Sequence, residues 1–281
     1  MHGEIYLDER QKKKRRRFLK LKIYGGIIII FILIAAAVYV IVYSPLFHIK
    51  NITQTNDDLT QINADELIRN LKNFFANQSK IAGFLGPDNI LIWNKEALVK
   101  FPKAPAVAEL TIEKDYFKRE IKISIKERER FGVWCPLSSV DNASTTTAVA
   151  GGCWWFDKNG VIFAEASQLE GQLINKVDDF SGRSLESGNS VLEEKFLTNL
   201  IKIFDVLDKS GLKIKSLRLE NLQLQEIVAD PSAVSLPKIY FSLRFDPSFG
   251  VAAIESLKNL GLEKIGYIDL RVENRAYYKL K

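Results

Sequence analysis

The sequence predicts an α+β protein, with one transmembrane helix at the N-terminus and then a body of mixed strand and helix segments. Three observations carry that prediction. Ile23 to Tyr43 runs for 21 residues without a charge. Beyond it, short stretches alternate apolar and polar residues, the period of a half-buried strand. Between those stretches lie apolar residues at helical spacing.

The uncharged run comes first. As a helix rising ~1.5 Å per residue it covers the ~30 Å hydrocarbon core of a bilayer. Ser44-Pro45 ends it, because proline disfavours helical geometry in the residue before it. Residues 10–22 (RQKKKRRRFLKLK) are almost solidly basic, and cationic flanks stay on the cytoplasmic side. Residues 1–22 are therefore expected as a cytoplasmic tail, 23–44 as the span, and the remaining 237 residues across the membrane. A cleaved signal peptide is the rival reading, since Ala35-Ala36-Ala37 resembles a cleavage site. The apolar run continues through Val42, longer than the ~7–15 residues of a secretory core.

Charge follows the same division. The chain holds 40 Lys/Arg and 34 Asp/Glu, and residues 1–22 alone hold nine and three. Everything after them is neutral, so the basic balance reports a membrane flank and not a nucleic-acid footprint. With 47% hydrophobic and 11% aromatic residues the chain can bury one or two ordinary cores. Residues 136–152 (PLSSVDNASTTTAVAGG) read as a loop, for want of apolar periodicity. Cys135 and Cys153 bracket it, each beside a strand-like run. In an oxidising exterior the pair can close a disulfide worth ~3 kcal/mol; two unpaired, hydrophobe-like thiols are the alternative. Two histidines, on either side of the span, and no CxxC give no metal site.

Along the body, Phe47–Ile52 alternates as a strand. Asn63 caps a helix whose first turn holds Asp65 and Glu66, and whose apolar face is Leu67, Ile68, Leu71, Phe74 and Phe75. NILIW follows Gly86-Pro87, then a short helix around Lys95–Phe101. Val107–Ile112 and Glu120–Glu127 are strands, with Ile121, Ile123 and Ile125 on one face. Asp157-Lys-Asn-Gly160 supplies residues suited to a tight turn. Ser190-Val-Leu-Glu193 reads as a capping box before a helix striped by Leu192, Phe196, Leu200, Ile203 and Leu207, with Gly211 past its end. Strands follow at Leu212–Leu219, Leu224–Val228 and Ile239–Phe245, then a helix at Val251–Leu260 and a strand from Ile265.

These residues carry a resemblance. Residues 46–130 resemble a POTRA domain (β-α-α-β-β) of the kind found beside the anchor in FtsQ/DivIB cell-division proteins. The matching pieces are FHIKNI, GPDNILIW, Pro105-Ala106-Val107 before the second strand and Glu127-Arg128 leaving the third. Residues 131–281 resemble the family's β domain, a mixed sheet with flanking helices. Its marks here are the Asp157–Phe163 hairpin and the terminal Tyr267-Ile-Asp269-Leu270-Arg271. The resemblance implies a non-enzymatic, cofactor-free scaffold in the cell membrane at the division septum, with its N-terminus cytoplasmic and its body outside. It also implies partners: FtsB/DivIC-like and FtsL-like bitopic proteins and, through them, the septal peptidoglycan synthase. A POTRA protein of export or outer-membrane assembly is the alternative, although such proteins usually carry a barrel.

Catalytic signals are weak. Ser210-Gly-Leu-Lys213, Ser187-Gly-Asn189 and Lys209-Ser-Gly211 mimic penicillin-binding motifs, but they overlap at the two ends of one helix. Those enzymes need them far apart and convergent. The C-terminus instead reads as a binding strand. Arg275, Tyr277 and Lys279 share one face, and Ala276, Tyr278 and Leu280 the other. A last strand at a sheet edge offers unpaired backbone to another chain, and the resemblance implies that an FtsB-like partner pairs there. Asp269 and Arg271 are expected to pair locally.

Overall fold

A computed structural model describes residues 4–55, 59–142, 145–150, 152–166, 173–231 and 236–281. Helix α1 (Glu4–Tyr43) includes the expected span but starts inside the basic tail, well before residue 23. Lys, Arg, Gln and Leu are all good helix formers, so the helix does not stop at the charge boundary. Lys13–Tyr43 is long and apolar enough to cross a membrane, and none of its apolar window is buried. Ser44 ends it, its hydroxyl accepting from Leu46 N–H over a short 3-10 turn at Pro45–Phe47.

The chain forms two compact units, Met1–Pro102 with Glu109–Ile125, and Lys103–Ala108 with Lys126–Lys281. After α1, the first contains β1 (Asn51–Gln54), α2 (Ala64–Ala76), α3 (Lys80–Leu85) and α4 (Lys95–Leu98). Strands β2 (Val107–Asp115) and β3 (Glu120–Glu127) complete a sheet ordered β1-β3-β2, with β1 parallel to β3. Asn63 does cap α2, accepting from Glu66 N–H at 3.2 Å. Helix α3 is an addition to the sequence reading; Ser79 starts it by accepting from Ala82 N–H at 3.0 Å. Leu71, Phe75, Trp93, Ile121, Ile123 and Ile125 are fully buried, and Phe75 stacks on Trp93 with centroids 4.9 Å apart.

The second unit holds β4 (Gly132–Asn142), β5 (Thr145–Ala150), β6 (Cys153–Phe156), β7 (Ile162–Ala166), β8 (Asn175–Asp179) and α5 (Glu194–Lys209). It continues with β9 (Ser216–Asn221), β10 (Glu226–Ala229), β11 (Lys238–Ser242), α6 (Gly250–Lys258), β12 (Ile265–Val272) and β13 (Arg275–Leu280). The sheet runs β13-β12-β11-β10-β9-β8-β4-β6-β7, with β5 paired to β4 off that path. β8–β9 and β11–β12 are parallel. Parallel neighbours need a crossover; α5 lies in that of β8–β9 and α6 in that of β11–β12, while β4 and β8, also parallel, have β5, β6 and β7 between them. Both helices bury into one core with the sheet, including all five residues of the expected α5 stripe. Gly132 is needed for close approach: a Cβ there would meet the Asn175 carbonyl at 2.7 Å.

Two expectations are corrected. The run 136–152 is no loop over most of its length: β4 and β5 form a ladder from Leu137↔Ala150 to Asn142↔Thr145. A two-stranded ribbon needs backbone pairing rather than apolar periodicity, and its Thr and Val residues favour extended backbone. The capping box does not form either. Glu193 is the N-cap of α5 without a side-chain bond, and Ser190 Oγ donates to Leu192 O at 2.7 Å. Ser190 is drawn away because Gly188–Val191 hydrogen-bonds along Gly160–Ile162. The other end of α5 matches expectation: Leu212 N–H bonds Leu207 O and Gly211 N–H bonds Asp208 O, with Gly211 at φ 64.

Cys135 and Cys153 continue the β4–β6 register past Trp134↔Trp154 and are joined by a disulfide. With Val133 they form a small cluster flanked by Trp155 and Ile174. Nearby, the Asp157–Gly160 turn closes as expected. Asp157 Oδ1 accepts from Asn159 and Val161 N–H at 3.0 and 2.9 Å, and Gly160 takes φ 75. The other carboxylate oxygen accepts from Arg128 Nη1 at 2.6 Å, while Arg128 Nε donates to Pro105 O at 2.7 Å. Three sequence pieces, Pro105, Arg128 and the Asp157 turn, thus meet in one hydrogen-bonded group.

Candidate protein-binding edge

The C-terminal end of the large sheet is built by alternation. In β12, Ile268 and Leu270 point into the core, as do Ile239 and Phe241 of β11. Tyr267, Asp269, Arg271 and Tyr240 therefore share the opposite face, which carries neither α5 nor α6. Parallel register sets Tyr240 opposite Asp269. Arg271 forks onto Asp269, with Nε and Nη2 at 2.9 and 2.7 Å, and reaches Glu226 through Nη1 at 3.1 Å. Its guanidinium lies 5.1 Å from the Tyr240 ring centroid, and Tyr267 meets Tyr240 edge-on at 5.9 Å. The expected local pairing of Asp269 and Arg271 is present, and Leu270 between them is a core residue.

That pairing shapes titration. The Arg271 hydrogen bonds hold the Asp269 carboxyl below its ordinary value, and the same bonds, Asp269's first, raise Arg271. A carboxyl lowered in the folded state adds stability that is complete above the unfolded value and is lost as pH falls. Asp269→Asn should therefore cost about 1 kcal/mol at pH 7, discounted for the half-exposed guanidinium. The difference should shrink as pH drops below 3.8, the carboxyl's ordinary value. Paired thermal melts at pH 7 and pH 3 read this directly; a constant difference would exclude the ionic contribution.

β13 follows a turn at Glu273-Asn274, with Asn274 at φ 58, a conformation asparagine tolerates. Among the described residues it pairs with β12 alone, antiparallel, and all six of its side chains are exposed. Tyr277 is 50% and Tyr278 48% exposed. Tyr278 lies opposite the buried Ile268, yet stays half-open, so the core ends at β12. Arg275, Ala276, Tyr277, Tyr278, Lys279 and Leu280 thus line the last strand of the sheet among the described residues, about 20 Å long at strand rise. Tyr277 hydrogen-bonds Arg275 and raises its pKa.

The predicted residues do not all converge. Cys135 and Cys153 lie on β4 and β6, toward the other end of the sheet. Ser210, the serine of the penicillin-binding-like fragment, is fully buried at the end of α5. Among the described residues no group of three or more His, Cys, Asp or Glu could hold a metal ion. Sequence reasoning did not single out Tyr240 and Glu226, which complete the Arg271 group. The alternation of Ile239–Phe245 was the available signal, since it sets Tyr240 opposite Ile239 and Phe241.

No protein-family model matches the chain. No curated protein matches it either.

Proposed function

We propose that the chain is a single-pass membrane scaffold of cell division, of the FtsQ/DivIB type. On this reading α1 spans the cell membrane with its basic end in the cytoplasm. The first unit is a POTRA domain, the second is the β domain, and the whole acts at the division septum. The observation that carries the proposal is β13 at the end of the sheet, where six residues, two of them half-open tyrosines, are exposed and no further strand pairs among the described residues. Such an edge takes up a strand from another chain, with main-chain hydrogen bonds giving affinity and side chains giving specificity. Further support comes from the element order after α1, one strand, three helices and two strands, which is the expected order with α3 added, and from the long apolar α1.

The mechanism is capture without chemistry. The anchor restricts the body to a layer beside the bilayer. β13 takes a strand from an FtsB/DivIC-like protein held with an FtsL-like one, and that pair brings the septal peptidoglycan synthase. Tyr277 and Tyr278 suit such an anchor point, since aromatic residues dominate interface hot spots.

Purification of the full-length protein from membranes in mild detergent, with mass spectrometry of what accompanies it, tests the proposal. Small single-pass coiled-coil proteins are the expected companions, and deletion of residues 275–281 should remove them. Barrel or secretion components in their place would overturn it.

A further inference from the structure

Chain direction decides which loops of the first unit lie next to the anchor. β1 starts soon after α1 ends, and β3 runs parallel to it with Asn51 opposite Glu120. Parallel pairing sets the beginnings of both strands at one end of the sheet. The turn that feeds β3, residues 116–119, therefore lies beside the exit of α1. Hydrogen bonds fix it there. Lys50 N–H donates to Arg119 O at 2.8 Å, and Arg119 Nη1 donates to Pro45 O at 3.0 Å, two residues past the helix. A second loop touches the helix itself, as Asn89 Nδ2 donates to Ile41 O at 3.1 Å.

This turn is unusual for a water-facing loop. Phe117 at its tip is fully exposed and Tyr116 is 52% exposed, with Lys118 and Arg119 next to them. Two of the carboxylates nearby are engaged, while Glu113 on β2 is exposed. Asp115 accepts from Lys118 N–H at 2.9 Å, and Glu120 accepts from the Thr53 hydroxyl at 2.6 Å. Exposed aromatics with cationic neighbours are the composition of a bilayer's headgroup level, where amphipathic rings settle and basic side chains reach phosphates. Leu46, 67% exposed, adds an apolar side chain in the 3-10 turn that carries Pro45.

We propose that the β2–β3 turn is a second membrane contact. Phe117 and Tyr116 enter the lipid interface of the leaflet from which the body emerges, and Lys118 and Arg119 face its phosphates. The first unit is then held to the bilayer at two points, the anchor and the turn, which removes its freedom to swing on Ser44. This rests on α1 spanning the bilayer.

The test is site-directed spin labelling of the full chain in vesicles of phosphatidylethanolamine and phosphatidylglycerol. Cys135 and Cys153 are paired and do not compete for the label. Nitroxides are placed singly at Lys118→Cys, at Lys126→Cys near the far end of β3, and at Ile30→Cys inside the anchor. The Lys118 label should collide with oxygen more, and with a water-soluble nickel chelate several-fold less, than the Lys126 label. Adding Phe117→Asp should return it to the Lys126 level. Equal nickel collision rates at Lys118 and Lys126, with Ile30 still in lipid, would overturn the second contact and leave the anchor standing. Nickel access at Ile30 would overturn both.

Discussion

Asp157→Ala is expected to lower the stability of the second unit by about 3–5 kcal/mol, the cost of stranding one partner of a buried ion pair. The Asp157 side chain is 7% exposed and Arg128 17%, so neither charge can turn to water when its partner goes. The same carboxylate also holds two N–H groups of its own turn, which Ala would leave unpaired. Melting of the full chain in mild detergent, followed by tryptophan fluorescence, should shift down by about 10 °C for that loss in a unit of this size. Asp157→Asn separates the two contributions, because its amide oxygen can still accept from the turn while the charge is gone. Arg128→Ala should cost nearly as much alone, and the double variant much less than the sum, since contacting residues couple. An unshifted melt for Asp157→Ala would mean that Arg128 reaches water once its partner is gone and that no charge is stranded.

Tyr277→Ala combined with Tyr278→Glu should leave that melt unchanged and cut partner capture by about thirtyfold, the equivalent of ~2 kcal/mol at a hot spot. The separation is expected because neither ring belongs to the core, and β13 ends the sheet beyond the last buried strand. Glutamate at 278 also sets a carboxylate beside a strand that would have to dock there. Binding of the purified partner to immobilised parent and variant reads the effect, with Tyr267→Ala on β12 as a neighbouring control. Full binding by the folded double variant would end the role of this edge.

Much of the local structure was legible because local chemistry decided it. Asn63 and the Asp157–Gly160 turn needed only a side-chain acceptor or a permissive glycine at the right spacing. Ile121, Ile123 and Ile125 needed only alternation. Reading failed where a distant segment competed. Ser190 looked like a cap and became part of a pairing with Val161, because β7 offered it backbone partners. The ribbon of β4 and β5 carries no apolar stripe, so nothing periodic marked it. Strand order was also hidden: β4 sits between β8 and β6 through a parallel pairing that no neighbouring residue encodes. For the candidate edge, alternation marked residues 275–280 as a strand, but its exposure on both faces depends on where α5 and α6 stop covering the sheet.

The bond between Cys135 and Cys153 has a further consequence for a chain that is cut by a protease. It closes an 18-residue step that contains the β4–β5 ladder. A cut anywhere inside that step breaks the polypeptide but not the covalent continuity of the molecule. The fragment bearing α1 and the fragment bearing β13 stay tied across adjacent strands until a reductant separates them. The C-terminal edge therefore stays joined to α1 even in a nicked chain.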